Sequence, residues 1–263
     1  MIFINPQWQG SGLTDDLKFG AETFGSYFKD SETVIIPLSV KELTTFNNIK
    51  CFEPILEQSI FFKEIVRVRK PSKISTLGGD CGIEIVPISY LNQLYKEDIC
   101  VIWIDAHADL NTPDSSPSKT FHGMPLRTLL GEGNEKFVDL LSSTLKPEQV
   151  CFVGLRDLDE PESEYILKHN ITTISNCQFS EIQGKIQDFK NIYIHLDLDV
   201  LDKSEFEFTM FPTSNGFSVE HVARLISELK LNCNVVGFCI TESTATNLGQ
   251  LSPIKPILDQ IEL

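Results

Sequence analysis

Short apolar runs alternate with amphipathic segments along the whole chain. Most of the runs are nearly continuous in Val, Ile and Leu, which is typical of strands buried on both faces of a parallel sheet. The pattern predicts eight strands, at Ile2–Ile4, Thr33–Leu38, Ile74–Leu77, Ile99–Ile104, Gln149–Val153, Thr172–Ile174, Ile192–Leu196 and Val235–Ile240. Strand–helix alternation over this length predicts a three-layer α/β/α fold, doubly wound around a mostly parallel sheet of about eight strands.

Between the strands, apolar residues recur at close to the helical period. The clearest example predicts a helix over Phe52–Arg69. Ser218 is predicted to cap the start of another helix, because its hydroxyl can accept a hydrogen bond from the first turn. A terminal helix is predicted from Asn247 to Leu263, interrupted at Pro253 and Pro256.

Two long segments, 105–121 and 202–217, lack a regular pattern. Loops of this length in a compact domain usually carry function. Because no repeat, low-complexity tract or linker interrupts the pattern, residues 1–263 are predicted to form a single domain.

Charge and cysteine content narrow the functional classes. The chain has 37 acidic and 22 basic residues, so nucleic-acid binding, which needs Lys and Arg, is not expected. Its seven cysteines include no CxxC pair, which argues against zinc-ribbon and thioredoxin-like sites. We expect a cytoplasmic protein without membrane contact, because the sequence shows neither a secretory leader nor an apolar stretch of about 18 residues.

Acidic side chains cluster where predicted strands end. Asp105, His107 and Asp109 directly follow one strand, and residues two apart in extended backbone point the same way. Asp197 and Asp199 repeat this spacing after another strand. A single Asp at such a place is commonly a turn former or a helix cap. Two clusters at the ligand-binding edge of one sheet favour a divalent cation, and the oxygen-rich set with imidazole suits Mn²⁺.

The motifs resemble those of the arginase–agmatinase family, the manganese-dependent ureohydrolases. The matching segments are Gly78-Gly79-Asp80-Cys81, Asp105-Ala106-His107-Ala108-Asp109, Asp197-Leu198-Asp199 and Ile240-Thr241-Glu242. Within that family, His122-Gly123-Met124-Pro125 and the segment 154–159 resemble arginase more than agmatinase. The resemblance spans residues 78–242 by its motifs and nearly the whole chain by its strand–helix pattern.

The resemblance implies hydrolysis of L-arginine to L-ornithine and urea by metal-activated hydroxide. Two Mn²⁺ ions would be held by Cys81, Asp105, His107, Asp109, Asp197 and Asp199. The implied catalytic residues are Asp109, His122, which would transfer protons, and Glu242, which would accept hydrogen bonds from the guanidinium. Substrate binding is implied for Asn111 and Ser118 at the α-carboxylate, for Asp159 at the α-ammonium and for Glu162. Relatives form trimers or hexamers, so the resemblance also implies a homo-oligomer.

Departures from the family pattern keep alternatives open. Cys81 stands where the family has a histidine ligand, and a thiolate matches Mn²⁺ poorly, so two, one or no bound metal ions are possible. The 203–212 loop and the Ser243-Thr244-Ala245 segment also depart from the family. His195 replaces a small residue and is predicted to be structural or a hydrogen-bond partner of a ligand. The alternatives are a mononuclear hydrolase, a ureohydrolase for agmatine, guanidinobutyrate or formimidoylglutamate, and a metal-poor, non-catalytic binding protein.

Overall fold

The computed structural model of the protein describes residues 1–12 and 14–261. Its strands are β1 (Ile2–Ile4), β2 (Thr33–Ile35), β3 (Ile74–Leu77), β4 (Ile99–Ile104), β5 (Val150–Val153), β6 (Thr172–Ile174), β7 (Asn191–Asp197) and β8 (Asn234–Thr241). They form one sheet in the order β2-β1-β3-β8-β7-β4-β5-β6, and all neighbouring strands pair in parallel. The predicted fold class is confirmed.

Helices cover both faces of this sheet. They are α1 (Asp16–Tyr27), α2 (Phe52–Arg69), α3 (Ile85–Leu94), α4 (Pro125–Leu129), α5 (Glu135–Val138), α6 (Glu160–His169), α7 (Phe179–Ile186), α8 (Val219–Asn232), α9 (Leu248–Leu251) and α10 (Lys255–Leu258). Side chains of α1 and α7–α10 belong to one buried core, and those of α2–α6 belong to the other. Along β4, Ile102 and Ile104 enter the first core while Val101 and Trp103 enter the second, which explains the unbroken apolar runs.

Prolines explain one difference from the predicted elements and one prediction that is confirmed. Strand β2 ends at Ile35 rather than at Leu38. The Ile36 N–H donates to the Ile4 oxygen, and the next donor on the β1 side would be Pro6, which has no N–H. The terminal helix is interrupted at Pro253 and Pro256 as predicted, and each proline lies in the first turn of a new short helix. Residues 262–263 of that prediction lie outside the described residues.

The other two helix predictions are confirmed. Helix α2 has the predicted bounds, and the hydroxyl of Ser218 accepts a hydrogen bond from the His221 N–H at the start of α8. Within residues 1–12 and 14–261, every helix is too short or too polar to cross a membrane.

The strand order brings the chemically important residues together. Strands β3, β8, β7 and β4 are adjacent at the centre of the sheet. Because all of them run in the same direction, their carboxyl ends meet at one edge, where α/β sheets bind ligands. Cys81, Glu242, Asp197 and Asp105 follow or end these four strands in that order.

Two helical glycines provide a test of the packing behind this edge. A Cβ on Gly20 of α1 would lie 1.8 Å from the backbone oxygen of Ser243, whereas one on Gly184 of α7 would meet nothing within 4 Å. Gly20→Ala is therefore expected to lower the free energy of unfolding by about 1–3 kcal/mol. Gly184→Ala is expected to raise it by about 0.5–1 kcal/mol, because alanine restricts the unfolded chain. Urea denaturation of both variants measures the difference, and equal effects would contradict the predicted clash.

Candidate metal centre and active-site cleft

Three of the central strands end in the same kind of turn. A side-chain oxygen of Asp80, Asp105 and Asp197 accepts a hydrogen bond from the backbone N–H two residues later, at 2.8, 2.7 and 2.8 Å respectively. Such turns are typical of Asp, whose short carboxylate can replace a backbone acceptor. Each turn occupies one oxygen and leaves the other to face neighbouring groups.

The predicted extended backbone over Asp105, His107 and Asp109 is wrong. Strand β4 ends at Ile104, and Asp109 has a φ of 53°, in the left-handed region that L residues seldom adopt. Because the Asp105 carboxylate forms a turn with the His107 N–H, the chain leaves the sheet there. The side chains still converge on one site. Glu242, with a φ of 63°, is similarly strained, at a cost of about 1–2 kcal/mol for each residue.

Among the described residues, three groups of side chains each bring their potential ligand atoms within 4.8 Å of one another, and one of the three is Cys81, Asp197 and Glu242. The first metal group is Cys81, Asp105, Asp109 and His195, and the second metal group is Asp105, His107 and Asp199. In the second group, His107 Nδ1 lies 2.9 Å from Asp199 Oδ2 and 3.6 Å from Asp105 Oδ1. Asp197 adjoins the first group, because its Oδ2 accepts a hydrogen bond from the Cys81 thiol at 3.0 Å. Asp105 belongs to both groups and connects them.

Burial and mutual repulsion perturb these carboxylates. Burial, followed by the charges of neighbouring aspartates, raises the pKa of Asp109 and Asp197 well above the usual range. Burial and the charge of Asp105 raise the pKa of Asp199 to about 6. Burial lowers the pKa of His107, but its hydrogen bonds to Asp105 and Asp199 outweigh this and raise it. The site therefore favours bound positive charge, which a divalent cation supplies.

The donor atoms fit such a cation. Asp109 Oδ2 and Glu242 Oε2 are buried and lack a hydrogen-bond partner among the described residues, although buried polar atoms normally have one. Carboxylate oxygens and imidazole nitrogens suit hard or borderline divalent cations. The Cys81 sulfur is softer, and burial raises the pKa of its thiol.

His122 and Phe211 form part of the cleft above the metal groups. His122 Nδ1 lies 3.4 Å from Glu242 Oε1, and its ring stacks on Phe211 with 5.5 Å between centroids. Burial lowers the pKa of His122, but the hydrogen bond and charge of Glu242, with the charge of Asp80, raise it overall. The imidazole is thereby kept as a proton donor beside a buried carboxylate.

The residues predicted to bind an amino acid lie in the same cleft. Asn111 Nδ2 donates to Asp159 Oδ2 at 3.0 Å, and Ser118 is exposed in the cleft. The two oxygens of Glu162 accept hydrogen bonds from the backbone N–H groups of Asp159 and Leu110, both at 3.0 Å. This geometry gives Glu162 a positioning role, since its carboxylate fixes the backbone that carries the other residues.

The structure brings all of the predicted site residues together. The cleft has a volume of about 240 Å³ and is lined by every one of them except Asp105. Asp105 is fully buried and adjoins the cleft through His107. The position of each residue in the cleft does not test its catalytic or binding role, so these roles stay predictions.

Three residues of the site were not identified from the sequence. Asp157 Oδ2 lies 3.6 Å from His107 Nε2, on the side of the ring away from the second metal group. Phe211 belongs to the irregular 202–217 segment, but no spacing indicated that it would face the cleft. Glu84 accepts from His195 Nδ1 at 2.8 Å. Its only sequence signal was an acidic residue within an apolar run, Ile83-Glu84-Ile85-Val86.

The fold and the site define an α/β protein with a carboxylate-rich candidate metal site at the carboxyl edge of its parallel sheet. Residues 39–247 match the arginase family. Arginase of Staphylococcus aureus (strain COL) is 36% identical over 175 aligned residues, and the match covers 59% of this chain and 58% of that protein's length. Arginase of Bacillus subtilis (strain 168) is 30% identical over 230 residues, covering 83% of this chain and 72% of that protein.

The fold is also similar to a crystal structure of Entamoeba histolytica arginase in complex with L-ornithine. The TM-score is 0.89 at 20% sequence identity, with 99% of this chain and 96% of that chain covered. The chain belongs to the arginase family.

Proposed function

We propose that this protein is a manganese-dependent ureohydrolase that converts L-arginine and water into L-ornithine and urea. The main support for this proposal is that a single small cleft joins the two metal groups to residues suited to the α-carboxylate and α-ammonium of an amino acid. Its volume of about 240 Å³ suits a small metabolite. The matched arginases support this assignment of substrate.

Glu242 and the Asn111–Asp159 pair would hold opposite ends of the substrate. Glu242 Oε2 is buried and has no hydrogen-bond partner within residues 1–12 and 14–261, so it can accept from a planar guanidinium. Asn111 uses one amide hydrogen on Asp159, and its second remains for the α-carboxylate. Asp159 offers negative charge to the α-ammonium.

The chain's own residues would then orient the guanidinium and move protons. The residues of the metal groups would hold a divalent cation, whose chemistry would be to lower the pKa of water so that hydroxide is available at neutral pH. Glu242 would hold the guanidinium plane in a fixed orientation beside these groups. His122, 3.4 Å from Glu242, would protonate the leaving amine. Phe211 would shield this region from water, because its ring stacks on His122.

Manganese is proposed from the chemistry of the ligands. Asp105, Asp109, Asp197 and Asp199 provide hard oxygen atoms, and His107 provides a borderline nitrogen. Zinc commonly takes more nitrogen and sulfur ligands. Assembly into a trimer or hexamer and a cytoplasmic location belong to the same proposal and rest on the family resemblance.

Asn111→Ala is expected to change substrate preference. Because agmatine lacks the α-carboxylate, the variant should raise KM for arginine about 10-fold, equal to the loss of one hydrogen bond to a charged group, and leave agmatine hydrolysis unchanged. Urea release measured with both substrates on manganese-loaded protein checks this. An equal loss with the two substrates would place Asn111 in a structural role.

The substrate assignment is tested by urea release from arginine, agmatine and guanidinobutyrate, and by formamide release from formimidoylglutamate. Turnover of arginine well above the others supports the proposal. Turnover of another member of this panel alone would overturn the substrate and leave the metal site standing. A metal-poor binding protein is the second candidate. The buried Cys81 thiol of the first metal group donates a hydrogen bond to Asp197, so this carboxylate already has a partner without a metal ion. This candidate predicts no turnover of any of the four compounds.

A further inference from the structure

A buried chain of hydrogen bonds lies behind the first metal group. The Tyr193 hydroxyl donates to Glu84 Oε2 at 2.6 Å, and His195 Nδ1 lies 2.8 Å from Glu84 Oε1. All three side chains are fully buried. The His195 ring also stacks on Trp103, with 3.6 Å between centroids and 18° between planes. The imidazole is therefore held in one orientation by contacts on its edge and its face.

In this orientation the other ring nitrogen of His195, Nε2, faces the first metal group. Because Nδ1 donates its proton to Glu84, the lone pair of the neutral ring is on Nε2. His195 Nε2 lies 3.5 Å from Asp105 Oδ2 and 4.0 Å from Cys81 Sγ. Both separations are long for hydrogen bonds. They suit ligands of one ion, which are roughly 3–4 Å apart when each bond to the ion is about 2.0–2.3 Å.

A ligand histidine that donates its second nitrogen to a carboxylate is a recurring arrangement in metal sites, because the carboxylate fixes the ring and increases its basicity. Glu84 has this relation to His195. The position at which the family carries an imidazole ligand is Cys81, which lies in the turn after β3. His195 lies on β7, and its Nε2 reaches the same group from that strand.

We propose that His195 Nε2 is a ligand of the first metal ion and replaces the imidazole that is absent at Cys81. This inference rests on the proposed metal-dependent function, and it makes Glu84 a positioning residue for the ligand. The ligand set would thereby keep its number of imidazoles although residue 81 is no longer histidine.

The test is the number of Mn²⁺ ions per chain after loading and desalting, measured by elemental analysis. His195→Asn is expected to lose one ion relative to the unchanged protein. Adding Cys81→His to that variant is expected to recover the ion, because it returns an imidazole to the first group from β3. A role for His195 in packing alone would not produce this recovery. His221→Asn, at an exposed histidine in the first turn of α8, is the matched control and should bind as many ions as the unchanged protein.

Retention of the ion in His195→Asn, or no recovery in the double variant, would overturn the assignment. Absence of bound metal from the unchanged protein would also overturn it. Glu84→Gln provides a second measure if His195→Asn fails to fold: its affinity for one of the ions should fall about 10–100-fold, and unchanged affinity would count against the proposal. Urea release by the unchanged protein is measured on the same samples, so a failure of the proposed function can be distinguished from a failure of the ligand assignment.

Discussion

Asp105→Asn is expected to abolish urea release and to remove most of the bound metal. Asp105 is the only residue common to both metal groups, and its two oxygens lie 3.6 Å from His107 Nδ1 and 3.5 Å from His195 Nε2. Asparagine has nearly the same shape but supplies one neutral oxygen in place of a charged carboxylate. We expect a decrease of at least about 1000-fold in kcat/KM, equal to roughly 4 kcal/mol of lost transition-state stabilisation.

Asp114→Asn is the matched control. Asp114 is exposed on the same irregular segment and contacts Asn48 at its surface. This variant should keep both its metal content and its activity. Elemental analysis measures the metal content of both variants, and a urea assay measures their activity. An Asp105→Asn protein with undiminished metal content would show that neither group is a metal site.

Glu242→Gln is expected to separate substrate binding from metal binding. Loss of the buried charge removes the partner of the guanidinium, and breaking a buried charge pair commonly costs about 2–5 kcal/mol. We therefore expect kcat/KM for arginine to fall about 100-fold or more. Glutamine retains the size of the side chain and the same backbone strain at a φ of 63°, so folding and metal content should be preserved.

The control for this variant is Glu207→Gln, at an exposed glutamate of the 202–217 loop. It should leave kcat/KM unchanged. Glu242 lies close to Cys81 and Asp197, and these three residues form a further potential metal group. A loss of metal in Glu242→Gln would therefore identify Glu242 as a ligand and would contradict its proposed contact with substrate.

The edge at which the site forms could be predicted because it follows from the sheet. Apolar runs fix the strands of a parallel sheet, and the carboxyl ends of adjacent strands must meet. Asp105 and Asp197 were consequently identified from their positions after such runs, whereas Cys81 and Glu242 were indicated by the family resemblance. Their proximity needed no knowledge of loop conformation.

The local geometry could not be predicted in the same way. The turns at Asp105 and Asp197 depend on one carboxylate oxygen binding a backbone N–H, and Asp is equally compatible with extended backbone. The direction of His195 depends on Glu84, which is 111 residues away in the chain. Phe211 faces the cleft through a loop whose sequence has no periodicity. Specific side-chain contacts, local at the two turns and long-range at His195, determine this geometry, and the hydrophobic pattern of the sequence does not reveal them.

The most direct test of the account is to titrate metal-free protein with Mn²⁺ and to measure bound metal and urea release from arginine on the same samples. We expect about two ions per chain when both metal groups are filled, with urea release rising as the ions bind. Bound metal without urea release would contradict the proposed hydrolysis of arginine. Urea release at full rate without bound metal would contradict the proposed metal dependence, and absence of both would leave the arginase fold with a binding role alone.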